Sequence, residues 1–285
     1  MSLEYSITYK AENTYEESVL EAYWQFLIIP EENDSQQFIS IDFNNSLNAK
    51  TEFSINGYGF KTIRVHPKSE FKHIAFEANF KLIKKEINPF DFEPEADVLK
   101  SFQKLQELDF KVDHNTFLKT TDYTRLPEES KNLFIFDTTQ SIFENLQSLN
   151  NFIHHYIKFN TEATDVFTKL NELLNIRQGV CQDFTHLFCA FARLNGIPAR
   201  YVSGYLHQDN GYFGDAQMHA WAEAYVPFVG WIGFDVTNDI LAGTSHIKIA
   251  DGKDYKDCSA LKGVVYSTGN NETVHSVVVS SQSQQ

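Results

Sequence analysis

The chain changes its hydrophobic period part-way along its length. Up to about residue 90, apolar residues recur at every second position. Leu3, Tyr5, Ile7 and Tyr9 alternate with Glu4, Ser6 and Thr8. Leu20, Ala22, Trp24, Phe26 and Ile28 alternate again and stop at Pro30. Ile39, Ile41 and Phe43 follow, then Phe53 and Ile55 up to Asn56-Gly57, a hairpin-turn signal. Ile74, Phe76, Ala78, Phe80 and Leu82 repeat the period before Asn88-Pro89. Period-2 alternation bounded by turn residues predicts an antiparallel sheet or sandwich with one wet face. This N-terminal β domain is expected over residues 1–90. It holds no polar constellation suited to chemistry, and its His66 and His73 read as surface residues.

Residues 91–136 are less regular. Pro94 and Pro127 punctuate a connector with short helical pieces around 95–107. From Asp137 the period becomes that of a helix. Ile142, Phe143, Leu146, Leu149, Phe152, Ile153, Tyr156 and Ile157 form one long apolar stripe, with Asp137 or Thr138 as the expected cap. His154-His155 lies within it, but adjacent helix residues point in different directions and make a poor metal pair. Leu170, Leu173 and Leu174 predict a second, shorter helix. A third follows Gly179, where Phe184, Leu187, Phe188 and Phe191 share one face, and Gly196 and Pro198 end the run.

Cys181 sits at the start of that third helix. A helix N-terminus offers unpaired N–H groups and partial positive charge, which favour thiolate over thiol. On this stretch alone two readings stand: a nucleophile, or a small buried apolar residue.

Beyond Pro198 the pattern is β again. Residues 200–206 read as a strand, and His207–Gln217, with Asp209, Asn210, Gly211, Gly214 and Asp215, as a polar turn region. In residues 218–226, His219, Trp221, Glu223 and Tyr225 share one parity, and Ala220, Ala222 and Ala224 the other. The all-alanine face suits close approach by a helix. In residues 230–238, Trp231, Gly233 and Asp235 share a parity. A hairpin folded about Pro227 places His219 opposite Asp235, within reach of an imidazole–carboxylate bond. A slip in the turn makes the pair diagonal. An activated thiol needs a sulfur, a base and a group that orients the base. Cys181, His219 and Asp235 are the residues that fit those parts. The alternative is that His219 and Asp235 are half-exposed residues of an ordinary hairpin.

Composition narrows the function. The 285 residues are 42% hydrophobic and 22% charged, with a net charge of −14. No basic face is available to track phosphates, so neither nucleic acid nor an anionic membrane is an expected partner. Three cysteines, Cys181, Cys189 and Cys258, are too few and too widely spaced for a disulfide framework or a zinc finger. Cys189 reads as core. Residues 1–10 lack the features of a signal peptide, and no apolar run is long enough for a bilayer, so the expected compartment is the cytoplasm. No cofactor is expected. Glu223 with His219 offers two metal-ligand types, but no third ligand at a telling spacing.

The segments GVCQDFTHLFCAFARLNGIPARYVSGYL and MHAWAEAYVPFVGWIGFDVTN resemble the transglutaminase-like superfamily, most closely its bacterial branch of candidate cysteine proteases. The match is strong over about 160–240, and DGKDYKD at 251–257 is also similar. The resemblance implies an α+β fold: a papain-like core over 137–280 with its nucleophile on a helix and His and Asp on an antiparallel sheet. By composition, residues 281–285 read as a polar tail. It implies Cys181 as nucleophile, His219 as base and Asp235 as orienting acid. The implied activity is amide hydrolysis of a peptide, protein or other amide through a thioacyl-enzyme. Transfer to an amine, forming an isopeptide bond, is the alternative, and a catalytically idle binding module a further one. Val236 stands where the family often has proline. Asp183 and His186 are read as capping or supporting the first turn. Trp221 and Trp231 are walls of the cleft or core, and Tyr205 a residue that could line the cleft. His246 matches a histidine of this branch without an assigned role.

Overall fold

The computed structural model describes residues 2–93, 97–207 and 211–283. Pro94, Asp209, Asn210 and the last two glutamines of the tail lie outside them. In chain order the strands are β1 (Ser2–Val19), β2 (Glu21–Phe26), β3 (Gln36–Asn45), β4 (Lys50–Ile55), β5 (Lys61–His66) and β6 (Phe71–Lys85). Helices α1 (Val98–Lys104), α2 (Leu108–Asp113), α3 (Asn115–Leu118) and α4 (Ile142–Tyr156) follow, then β7 (Lys158–Phe159), α5 (Leu170–Ile176), β8 (Gln178–Gly179) and α6 (Cys181–Leu194). The chain closes with β9 (Ala199–Leu206), β10 (His219–Val226), β11 (Gly230–Asp235), β12 (Ile240–Leu241), β13 (His246–Gly252), α7 (Tyr255–Cys258), β14 (Leu261–Tyr266) and β15 (Asn271–Ser283). The fold is α+β with antiparallel main sheets.

Two four-stranded sheets, ordered β15-β1-β6-β3 and β14-β2-β5-β4, form the N-terminal sandwich. Alternation builds it: Tyr5, Ile7, Tyr9 and Ala11 of β1 are buried, as are Ile74, Phe76, Ala78, Phe80 and Leu82 of β6. Phe26 and Trp24 of the second sheet meet Phe76 of the first, with ring centroids 4.7 Å and 5.4 Å apart. Ile39 departs from the pattern and is exposed, because a bulge between Phe38 and Ser40 shifts the register there. Leu20 precedes β2 and is also exposed.

Two of those strands come from the far end of the chain. β15 pairs with β1 and β14 with β2. The segment 137–280 therefore does not stand apart in space, since its last strands complete the sandwich. The edge of β1 needed a partner, and Val277 and Val279 supply the buried positions opposite Tyr9 and Ile7.

The remaining sheet is ordered β12-β11-β10-β9-β13. Helix α6 packs against its β10 and β9 strands, with α4 and α5 alongside α6. Phe184, Leu187, Phe188 and Phe191 are buried in one cluster with Ala222 and Ala224. The methyl-only face of β10 lets the helix come close, and each large side chain contributes about 2 kcal/mol by leaving water. The long helix α4 is capped by Ser141, not by Asp137 or Thr138. Glu144 N–H donates to Ser141 Oγ at 3.1 Å, and Ser141 N–H donates back to the Glu144 carboxylate at 2.9 Å. Asp137 lies one turn earlier, where its N–H donates to Asn145.

Candidate active site

Cys181 is the first residue of α6 and is half-buried. The chain reaches it through the short parallel pair β7–β8, in which Phe159 lies opposite Gly179. Asp183 then holds the helix start. Its Oδ2 accepts the Val180 N–H at 2.9 Å and the Thr164 hydroxyl at 2.6 Å. Burial raises its pKa to about 6, against the pull of those two hydrogen bonds. His186 serves structure too. It is buried between Tyr123 and Tyr201, and its Nε2 accepts the Tyr255 N–H at 3.1 Å. Burial lowers its pKa to about 3 and keeps the ring neutral.

His219 opens β10 and Asp235 ends β11. They are not directly opposite. The turn is centred on Phe228, which takes φ of +67°, and Val226 pairs with Gly230. The register is thus two residues away from a hairpin folded about Pro227. A slip of two preserves parity, so both side chains still share a face and meet diagonally. His219 Nε2 donates to Asp235 Oδ2 at 2.9 Å, and both residues are buried. Its Nδ1 has no hydrogen-bond partner among the described residues. The Cys181 thiol interacts with this ring. Gly214, at φ of +86°, closes over Nδ1: a Cβ there would stand 2.7 Å away. Burial opposes a charged His219, but the Asp235 carboxylate and then the Cys181 sulfur outweigh it and raise the pKa to about 10. Asp235 is likewise disfavoured by burial, and its two histidine neighbours hold it well below the usual carboxylate range.

The other cysteines are different. Cys189 and Cys258 are fully buried, and desolvation raises both, Cys189 to about 11. Tyr205 does not line the site: it is buried and its hydroxyl donates to Ile28 O at 2.6 Å. Trp221 is buried and lies along His219, the ring centroids 6.3 Å apart. Glu223 is no partner of His219. It forms a network with Arg200 at 2.5 Å and Lys248 at 3.1 Å beside a cavity of about 420 Å³.

Residues 134–236 match the family described as the transglutaminase-like superfamily. Over these residues the chain is similar to the transglutaminase-like superfamily. The chain is 36% identical over 142 residues to an uncharacterized protein of Mycobacterium tuberculosis, covering 47% of this chain and 45% of that one. A Mycobacterium leprae protein, also uncharacterized, is 41% identical over 111 residues, covering 38% and 39%. The chain thus spans less than half the length of these curated relatives. Among solved structures, a candidate cysteine protease from Cytophaga hutchinsonii superposes with a TM-score of 0.76 at 19% identity, over 100% of this chain and 92% of that one. That likeness shows a shared fold.

In this transglutaminase-like core several site residues escaped sequence reasoning. His246 Nε2 donates to the same Asp235 Oδ2 at 3.0 Å. Asn238 Nδ2 donates there too, at 2.9 Å, and its Oδ1 accepts the Phe213 N–H at 2.8 Å. Gln182, next to Cys181, is buried, and its Nε2 has no hydrogen-bond partner among the described residues. His246 carried a signal without a role, and Gln182 and Asn238 lie inside the quoted motif segments with nothing in the sequence to set them apart. His219, Asp235 and His246 place metal-ligand atoms within 4.8 Å of one another. Asp235 Oδ2 is met by two imidazole donors and by Asn238 Nδ2, so these three residues are joined by hydrogen bonds centred on the carboxylate. Among the described residues no helix is long and apolar enough to cross a membrane.

Proposed function

We propose that this chain is a thiol-dependent amide hydrolase in which Cys181 is the nucleophile, His219 its base and Asp235 the group that orients the base. One observation carries the reading: His219 Nε2 is bonded to a buried carboxylate at 2.9 Å, its Nδ1 has no hydrogen-bond partner among the described residues, and the Cys181 sulfur is one of the groups acting on the same ring. A buried ring nitrogen without a partner is costly unless it serves a purpose. Accepting the thiol proton is such a purpose.

In the proposed cycle the Cys181 sulfur attacks an amide carbonyl carbon, and the carbonyl π pair moves to oxygen. The first turn of α6 has N–H groups without intrahelical partners, and that of Cys181 can hold the oxyanion. The Gln182 side-chain amide is a further donor next in sequence. His219 then gives its Nδ1 proton to the leaving nitrogen as the C–N bond breaks. Water, deprotonated by the same nitrogen, attacks the thioester and releases the acid and the thiol. The Cytophaga neighbour, described as a candidate cysteine protease, supports hydrolysis over transfer to an amine.

The test is site-resolved alkylation. Iodoacetamide at neutral pH is expected to label Cys181 far faster than Cys189 or Cys258, and His219→Ala to slow that labelling. Equal rates at all three thiols would remove the activated-thiol reading. Peptide libraries incubated with and without a primary amine then separate cleavage from transfer: isopeptide products in place of cleaved peptides would make the chain an acyltransferase.

A further inference from the structure

His219 is not the only imidazole on Asp235. Oδ2 accepts from His219 Nε2 at 2.9 Å, His246 Nε2 at 3.0 Å and Asn238 Nδ2 at 2.9 Å, and Oδ1 from the Asn238 N–H at 3.3 Å. One donor alone would leave the carboxylate free to turn about its last side-chain bond. Donors on both oxygens fix its plane, and so the direction in which it can hold His219.

His246 meets Asp235 in one tautomer. Its Nδ1 accepts the Gly243 N–H at 3.2 Å, so the proton is on Nε2, aimed at the carboxylate. Trp221 walls the ring edge-on, with centroids 5.2 Å apart. The backbone that carries the ring is held by the N-terminal sandwich. His246 begins β13, an edge strand whose outer side would otherwise lack partners. Lys84 of β6 donates to His246 O. Gln36 of β3 gives Lys248 both bonds that a neighbouring strand would supply. Its Oε1 accepts the Lys248 N–H at 2.7 Å and its Nε2 donates to Lys248 O at 2.9 Å.

We propose that His246 is a positioning residue for the His219–Asp235 pair, and that Lys84 and Gln36 hold it in register from the N-terminal sandwich. The inference rests on the triad reading above. It gives the sandwich a part in the chemistry of the thiol: the β13 edge is anchored to it, and β13 delivers the donor that orients the carboxylate.

The experiment uses the full chain, iodoacetamide, and mass-spectrometric rates at Cys181 at neutral pH. His246→Leu is expected to slow labelling about tenfold, the scale of a misoriented catalytic group. His246→Gln, which can still present an N–H to Asp235, is expected to stay within about twofold of the unaltered chain. If His246 acts through Asp235, then His246→Leu adds nothing in the Asp235→Asn background, a coupling that general damage would not produce. Should His246→Leu fail to fold, Lys84→Met carries the test, with an expected slowing of about threefold that also vanishes beside Asp235→Asn. Unchanged labelling in His246→Leu and Lys84→Met, with His219→Ala slow, would overturn this inference and leave the triad. Multiplying effects of His246→Leu and Asp235→Asn would overturn it as well. No effect of His219→Ala would bring down both.

Discussion

Gly179 lies directly against Asp183: a Cβ on the glycine would stand 2.6 Å from the carboxylate Oδ2 and 2.9 Å from the aspartate Cβ. The same carboxylate caps the Val180 N–H and binds the Thr164 hydroxyl. Strand β8, the start of α6 and the loop at 164 are thereby gathered around Cys181. A glycine is needed here for close approach, since its φ is not in the left-handed region.

Gly179→Ala is therefore expected to push Asp183 off its cap. The destabilisation should be about 1–3 kcal/mol, the usual cost of overpacking, read from urea denaturation. Cys181 labelling should slow with it. A variant as stable as the parent would show that the helix start yields without cost.

Asp235→Asn tests the electrostatics of His219. The raised pKa of about 10 favours the charged ring in the folded chain, as the proposed transfer of the thiol proton to His219 requires. The stability it contributes is complete below the ordinary value of about 6.5 and is lost as pH rises toward the folded value. Removing the carboxylate charge leaves burial dominant, so the pKa should fall below the ordinary value. The imidazole NMR signals should titrate on the alkaline side in the parent chain and on the acid side in the variant. An unmoved titration would mean that Asp235 does not hold the charge.

His186 gives the opposite dependence. Its pKa is lowered to about 3 by burial. The unfolded chain binds that proton below about 6.5, so stability is lost as pH falls from there toward the folded value. Asp183 opposes it, because its raised pKa of about 6 makes stability fall as pH rises from about 4. His186→Gln can keep an acceptor for the Tyr255 N–H while removing the titration. Melting temperatures between about pH 4 and 6 should then fall less on acidification than in the parent. An identical pH slope in the two chains would refute the assignment.

Arg193 is a buried brace at the far end of α6. It donates to Phe117 O, Ala199 O, the Thr124 hydroxyl and Lys253 O, at 2.7–3.1 Å. Arg193→Leu strands those acceptors and should cost about 3–5 kcal/mol in denaturant unfolding. Arg193→Lys should recover only part, because an ammonium cannot reproduce the planar fork. A loss below about 1 kcal/mol, the worth of a single hydrogen bond, would show that the acceptors find other donors.

The helix that begins at Cys181 was readable because its pattern is local: the Phe184–Phe191 stripe and the Gly196 stop act within a few turns of chain, and the small residues of β10 show as one parity within a single strand. The alternation in β1, β2 and β6 was readable for the same reason. So was the shared face of His219 and Asp235, because parity survives any even slip of register. Competing local acceptors hid the Ser141 cap, since Asp137 and Thr138 are equally able caps on paper. The tertiary structure alone decided the rest. The left-handed Phe228 moved the hairpin register by two residues. Val277 and Val279 crossed the length of the chain to pair with β1. His246, Lys84 and Gln36, far apart in sequence, met on one edge strand beside Asp235. Periodicity reports which face of an element is buried. Which other element covers that face is set by long-range packing and by bonds between residues that no local pattern connects.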